Sequence, residues 1–284
     1  MSISDNYKIF RSQLCTIYDE IEAEHITRMI FESVMNISRL DIITHPNKEL
    51  SLVEKNKLQQ CLEELIQQKP VQYVIGFTWF YKLRFMVNEH VLIPRPETEE
   101  LIAATIKELG DDAKNKILEI GSGSGCIPIA IKKNAPNTIV TSIDISESAI
   151  AVAKMNAEHH HTDISFRYFD FLDTENWNTL GKFDFIVSNP PYIPQREYEV
   201  MDNNVRLFEP ASALFVPNHQ PLIFYEKIAE FSIEHLHENG KIFLEIHQDF
   251  GKQVCAIFNE QRFTTELKKD IYENDRFVIA TRSH

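Results

Sequence analysis

The sequence predicts an α/β fold: a mostly parallel, doubly wound sheet with an antiparallel C-terminal strand, preceded by a small N-terminal helical domain that a β-hairpin joins to it. Three observations predict it. From about residue 96 onward, short apolar runs alternate with segments of helical period, the rhythm of strands feeding helices on both faces of a sheet. The first 75 residues contain no glycine and repeat their apolar residues every three or four positions, as a bundle of short helices does. Between the two, residues 76–95 turn aromatic and β-prone.

In the N-terminal stretch, Tyr7, Phe10, Leu14, Ile17 and Tyr18 fall on one helical face, and Leu58, Cys61, Leu62, Leu65 and Ile66 on another. Phe77 to Tyr81 and Leu83 to Val87 flank Lys82 and read as the arms of a hairpin, with Asn88 and Glu89 after them. Strands of the larger domain are expected at 116–120, 138–144, 164–169, 183–188, 241–247, 264–271 and 276–282. Helices are expected near 97–109, 125–134, 146–158, 221–238 and 251–260. Only Tyr272 to Asp275 connect the last two strands, a length that a hairpin alone can span, so the C-terminal edge should run antiparallel. The three parts are drawn at residues 1–75, 76–95 and 96–284.

Composition narrows the class. A chain of 284 residues with 43% apolar side chains can bury one large core and one small one. The net charge of −13 counts against broad nucleic-acid binding, whose affinity comes from neutralised phosphates, and favours a protein partner. Cysteines 15, 61, 126 and 255 show no paired spacing, so neither a disulfide framework nor a zinc site is expected, and a reducing cytoplasm suits them. Met1 to Asp5 lack the basic region and apolar core of a leader. No apolar run approaches the roughly 18 residues of a membrane span. A cytoplasmic monomer is the expectation. His159, His160 and His161 point in different directions at a helix end, which suits a solvated terminus better than a metal site.

Two motifs carry the chemistry. Lys116 to Ile120 reads as a buried strand running into Gly121-Ser122-Gly123-Ser124-Gly125-Cys126, with Ile127, Ile129, Ala130 and Ile131 continuing at helical spacing. Strand, glycine turn and helix N-terminus form the nucleotide-binding corner of an open, Rossmann-like sheet. A dinucleotide fingerprint needs glycine at its first, third and sixth positions; here glycine fills the first, third and fifth, and the sixth is Cys126. The backbone can approach a ligand closely without offering a pyrophosphate cradle. Glu119, at the strand end, repels phosphate and suits the ammonium of an amino acid. Asp144 ends the next strand 23 residues after Gly121, near the place where a carboxylate takes ribose hydroxyls.

The second motif is Asn189-Pro190-Pro191-Tyr192, after the apolar run Phe183 to Ser188. Two prolines remove two N–H donors and fix both φ angles, so the corner cannot join a ladder. The Asn189 side-chain oxygen and the Pro190 carbonyl present two acceptors to the hydrogens of a planar –NH2 group. Tyr192 offers a ring to its flat face. Alone, the tetrapeptide fits a strand-ending turn equally well. In company with the glycine turn, Glu119 and Asp144, it points to methyl transfer from S-adenosyl-L-methionine to a poorly nucleophilic nitrogen, leaving S-adenosyl-L-homocysteine.

Several segments resemble one known family. Lys69 to Gly76 with Phe80, Val91 to Glu100, Asn189 to Tyr192, and Glu209-Pro210 with Ala213-Leu214 are similar to signatures of the HemK/PrmC release-factor glutamine methyltransferases, and the likeness spans nearly the whole chain. One segment departs: the family often shows glycines after the Ala-Leu pair, where this chain has Phe215-Val216-Pro217-Asn218. The resemblance implies a Rossmann-like class I methyltransferase sheet and N5-methylation of the glutamine in the GGQ motif of class I peptide chain release factors. It implies a release factor as partner, recognised by residues 1–75, and no direct contact with nucleic acid. It further implies that Asp170 meets the adenine amino group and Phe171 its ring, where the residues themselves indicate only a strand-terminal turn.

Alternatives stay open at this point. Adenine N6-methyltransferases of DNA and RNA share the Asn-Pro-Pro-Tyr corner but not the Pro94 to Thr98 segment, and would have to flip a base into it. A ribosomal-protein glutamine methyltransferase differs only in substrate. A non-catalytic cofactor-binding protein on the same fold is opposed by the intact corner. Arg95 and Glu97 fit a linker ion pair or a role in shaping the cofactor mouth.

Overall fold

The computed structural model describes residues 2–110 and 114–282. They form two compact units: residues up to Phe77 together with Asp202–Phe208, and Thr78–Met201 together with the chain from Glu209 onward.

The first unit holds α1 (Ile3–Leu14), α2 (Glu20–Met35), α3 (Arg39–Thr44), α4 (Leu52–Ile66) and α5 (Val71–Ile75). Ser2, Ser38 and Ser51 each cap a helix, taking the N–H of Asp5, Asp41 or Glu54, whose carboxylate bonds back to the cap N–H. Asp19 caps α2. Ile3, Phe10, Leu14, Ile26, Ile30, Phe31, Leu58, Leu62 and Leu65 form the core, with Tyr7 and Phe10 edge-on to Phe31 at 5.0 and 5.6 Å. Ile66, placed on the apolar face by its spacing, is exposed: the buried stripe of α4 runs Leu58, Leu62, Leu65, and Ile66 lies past its edge.

The hairpin pairs β1 (Phe77–Phe80) with β2 (Leu83–Met86). Tyr81 and Lys82 between them both have positive φ, 48° and 62°, the backbone that a two-residue hairpin turn requires. Helix α6 (Pro96–Glu108) opens on proline, pre-set for a first helical turn. There follow β3 (Lys116–Ile120), α7 (Cys126–Asn134), β4 (Ile139–Asp144), α8 (Glu147–His159), β5 (Ser165–Tyr168) and β6 (Phe183–Ser188). Next come β7 (Ile193–Pro194), α9 (Asn203–Arg206, within the first unit), α10 (Ala211–Leu214) and β8 (Phe215–Val216). The chain ends with α11 (Ile223–His235), β9 (Leu236–Glu245), α12 (Gly251–Glu260), β10 (Phe263–Lys269) and β11 (Asp275–Arg282).

Seven strands make the main sheet in the order β10-β11-β9-β6-β3-β4-β5. β5, β4, β3, β6 and β9 run parallel, and β11 is antiparallel to both of its neighbours. The expected antiparallel C-terminal strand is there, but it lies inside the sheet and β10 forms the edge. Burial explains the placement. β11 carries the buried run Phe277 to Ala280, whereas β10 carries Thr264, Glu266, Lys268 and Lys269, a charged sequence suited to an edge.

Alternate residues of each central strand feed opposite cores. Leu118, Ile120 and Ile186 pack with Tyr225, Phe231 and Val254, while Ile117, Phe185 and Val187 pack with Leu101, Ile129 and Phe243. The helix expected over 221–238 stops at His235, and Leu236 already pairs with Phe183 before the ladder shifts to Phe185–Lys241. Gly240 permits that irregularity: a Cβ there would meet Leu236 Cγ at 2.6 Å and the Asp184 carbonyl at 2.9 Å. No helix among the described residues is long and apolar enough to cross a membrane.

Candidate active site

Strand order reverses beside β3, with β4 on one side and β6 on the other. The carboxyl ends of these strands at such a switch point are where open α/β sheets hold ligands. A cleft opens there, lined within the second unit by Glu119, Gly121 to Ser124, Asp144, Asp170, Phe171 and Asn189 to Pro191. Gly125 and Tyr192 do not line it.

The glycine turn is bent by Gly121, Gly123 and Gly125 at φ 92°, 49° and 79°, conformations closed to most side chains. Gly121 and Ser122 N–H groups donate to the Ile143 carbonyl (2.9 and 3.1 Å), tying the turn to β4. Gly125 serves packing: a Cβ there would lie 3.1 Å from both Ala153 Cβ and Ile129 Cδ1. Asp144 accepts from Gly123 N–H at 3.0 Å and Ser146 N–H at 2.8 Å, leaving outer lone pairs on both oxygens. Burial pushes the Asp144 carboxyl above its ordinary range against those bonds. Asn156, buried on α8, donates to the Ser124 carbonyl (2.8 Å) and exchanges two bonds with Met86, locking turn to hairpin.

Glu119 is 1% exposed. Ser142 donates to its Oε2, and Ser122 lies 2.5 Å from the Ser142 hydroxyl. Its Oε1 is buried without a hydrogen-bond partner. Burial holds this carboxyl well above the carboxylate range, and Asp144 pushes it the same way. An acceptor of this kind on the wall of a cleft suits a cationic group, whose arrival would restore the missing bond. The Cys126 thiol is pushed up to about 12 by burial, so it is no nucleophile at neutral pH.

Asp170 accepts from Leu172 N–H at 2.9 Å. Phe171 reaches the cleft wall, but its ring belongs to the core, stacked on Trp177 at 5.6 Å and edge-on to Phe231 at 5.5 Å. The apolar side chains exposed at the cleft are instead Ile145 and Leu172, 52% and 38% accessible. Neither was among the expected site residues, although Ile145 follows Asp144 directly and Leu172 lies two residues after Asp170.

At the Asn-Pro-Pro-Tyr corner, the Ser188 hydroxyl donates to the Ile120 carbonyl at 2.7 Å, fixing the end of β6 to β3. The Asn189 amide donates to Thr98 Oγ1 at 3.2 Å. Thr98 in turn donates to Glu245 Oε2 at 2.6 Å, and the Tyr192 hydroxyl donates to Glu245 Oε1 at 3.1 Å. Burial pushes the Glu245 carboxyl upward, opposed by these two bonds, and burial likewise raises Tyr192. Tyr192 is thereby anchored inward, its ring edge-on to His247 at 6.1 Å. Thr98 and Glu245 were not among the expected site residues. A lone acid inside the apolar run Ile242-Phe243-Leu244-Glu245-Ile246 was the available signal.

After the corner, β7 pairs with β8, and Asn218 accepts from Arg196 N–H at 2.8 Å, so the segment that departs from the family pattern is an ordered brace. Arg95 pairs with Glu209 at 2.6 Å, not with Glu97, and Glu209 also accepts from Ile93 N–H at 3.1 Å. That buried carboxylate holds the Ile93 to Arg95 lip of the cleft. His160 bonds the Arg84 carbonyl at 2.8 Å, and among the described residues no cluster of three or more His, Cys, Asp or Glu is placed to hold a metal.

Sheet order, glycine turn and cleft define a class I methyltransferase. A methyltransferase from Pyrococcus furiosus shares the fold with a TM-score of 0.51 at 15% identity, covering 81% of this chain and 98% of that one. Two family models match: the PrmC N-terminal domain over residues 9–76 and the methyltransferase small domain over 98–223. The release factor glutamine methyltransferase of Flavobacterium psychrophilum is 42% identical over 278 residues, 96% of this chain and 97% of its own. That of Bacteroides thetaiotaomicron is 37% identical over 273 residues, with the same shares covered. The chain belongs to the release factor glutamine methyltransferase family.

Proposed function

We propose that this protein methylates N5 of the glutamine in the GGQ motif of class I peptide chain release factors, using S-adenosyl-L-methionine, as a cytoplasmic monomer. The observation that carries the reading is that the Asn189-Pro190 corner lines the same cleft as Glu119 and Asp144. Family membership supplies the substrate class.

The residues fit the cofactor. Glu119 Oε1, buried and unpartnered, would take its ammonium. The free lone pairs of Asp144 would take the ribose hydroxyls, and Asp170 with Ile145 and Leu172 would hold the adenine. When bound, the cofactor supplies an electrophilic methyl group on a sulfonium. The work left to the chain is to hold a delocalised amide nitrogen in line. Reacting atoms held about 3–3.5 Å apart remove several kcal/mol of the barrier. Asn189 Oδ1 and the Pro190 carbonyl would accept the two amide hydrogens, stabilising positive charge as it builds on nitrogen. The methylated nitrogen is strongly acidic and releases its proton to water, so no side chain need act as a strong base. The first unit would recognise the protein substrate, consistent with the exposed apolar side chains Leu40, Ile43, Leu52 and Val53 on its helices.

Incubation with methyl-labelled cofactor and purified release factors, followed by peptide mapping, tests the reading. One added methyl on the GGQ glutamine is expected. Label on another residue, or none, would overturn it.

A further inference from the structure

Asn189 can face the cleft in two ways, related by a half-turn of its amide. One presents the oxygen to a ligand, the other the –NH2 group. Only the first can receive the hydrogens of a substrate amide, and something must choose it. We infer that Glu245 is the residue that sets this direction, through Thr98. The inference rests on the reading of Asn189 as an amide acceptor.

Glu245 is buried at the end of β9, and as a carboxylate it can only accept. Both of its oxygens are engaged, Oε1 by the Tyr192 hydroxyl at 3.1 Å and Oε2 by the Thr98 hydroxyl at 2.6 Å. Thr98, itself 2% exposed, has one proton and spends it on Glu245. Its remaining lone pairs can only accept, so the Asn189 atom 3.2 Å away must be the donating nitrogen. Oδ1 is then turned away from Thr98. Polarity runs one way along carboxylate, hydroxyl and amide, and the chain ends in an acceptor. Tyr192, bonded to the other oxygen of the same carboxylate, holds Glu245 in register with the corner. Glu245 and Thr98 are positioning residues: they act on the substrate amide through Asn189.

Substitution can reverse the order of donors and acceptors along this chain. In Glu245→Gln, the new amide can keep its oxygen on Tyr192 and donate its –NH2 to Thr98. Thr98 is then free to donate to Asn189, whose amide turns over and faces the cleft with the wrong atom. Single-turnover methylation at saturating cofactor should fall about 100-fold, the usual effect of losing one preorganised partner, with cofactor affinity nearly unchanged. Asn189→Asp alone should also be impaired, because two acceptors then face each other across Thr98. Combining Glu245→Gln with Asn189→Asp restores a consistent chain. The introduced amide donates to Thr98, Thr98 donates to the introduced carboxylate, and an acceptor again faces the cleft. The double variant should exceed either single variant by about tenfold, a coupling opposite in sign to accumulated damage. If Glu245→Gln fails to fold, Thr98→Val should lose turnover and Thr98→Ser should retain it.

A second readout needs no substrate. In isotope-labelled protein with cofactor, the NOE from the Asn189 side-chain amide protons to the Thr98 side chain should be strong in wild type and weakened in Glu245→Gln. An unchanged NOE, or a double variant no better than the worse single, would overturn the inference. Failure of the wild type itself to methylate a release factor would count against the function and leave the NOE comparison to decide the orientation.

Discussion

Glu119 shows how one side chain links burial, stability and ligand choice. One oxygen is bonded to Ser142 and the other is buried with no hydrogen-bond partner. Its folded pKa lies above its unfolded value. At pH values between the two, the native state binds more protons than the unfolded state. The stabilising contribution is therefore full below the ordinary carboxylate range and is lost as pH rises through the folded value. Glu119→Gln should flatten that slope and raise the melting temperature of ligand-free protein at pH 7. It should also weaken cofactor binding by roughly 10- to 100-fold, as loss of a charge-assisted bond of about 1.5–3 kcal/mol implies. Thermal melts across pH and isothermal titration check both. A destabilised variant with normal affinity would remove Glu119 from the site. Glu119, Asp144 and Asn189 were legible in the sequence because each stands at the end of an apolar run, where a strand must stop and a side chain can face a ligand. Glu245 was not, since its partners Thr98 and Tyr192 are 147 and 53 residues away along the chain. The direction of the Phe171 ring was not legible either. A ring after a strand end can turn toward the ligand or toward the core, and only Trp177 and Phe231 decide which.

At the scale of the element, local pattern located the hairpin, the seven strands of the main sheet and the five long helices of the second unit, but not the short β7, β8, α9 and α10, and tertiary packing set their ends and order. The hairpin of β10 and β11 followed from the short Tyr272 to Asp275 connection. Its insertion with β11 against β9 depends on which strand is apolar on both faces, a comparison between strands. The start of β9 was hidden because Leu236 continues the spacing of α11. Gly240 gives the position away: its missing Cβ leaves room for Leu236 and the Asp184 carbonyl. Gly240→Ala should destabilise the protein by about 1–3 kcal/mol through overpacking, read as a lower denaturation midpoint with an unchanged slope. Full stability in that variant would mean that the β6–β9 junction is looser than its contacts indicate.

For the whole molecule, the division of labour has a direct test. Every residue of the cleft belongs to the second unit, so cofactor binding should not need residues 1–75. A chain beginning at residue 76 is expected to bind cofactor within a few-fold of the full protein. With the proposed recognition area removed, it should methylate an intact release factor at least ~100-fold more slowly. A short peptide carrying the GGQ motif should be methylated at similar, slow rates by both. Full-rate methylation of the intact factor by the truncated chain would assign recognition to the second unit instead.

Asn189 is expected to perform the chemistry of this fold by accepting a hydrogen of the substrate amide. Single-turnover methyl transfer to a release factor by Asn189→Ala, at saturating cofactor, separates chemistry from binding. The expected rate is lower by ~10²–10³-fold, the loss typical of one preorganised electrostatic partner, in a folded protein whose cofactor affinity changes only a few-fold. Near-normal turnover by that folded variant would contradict it.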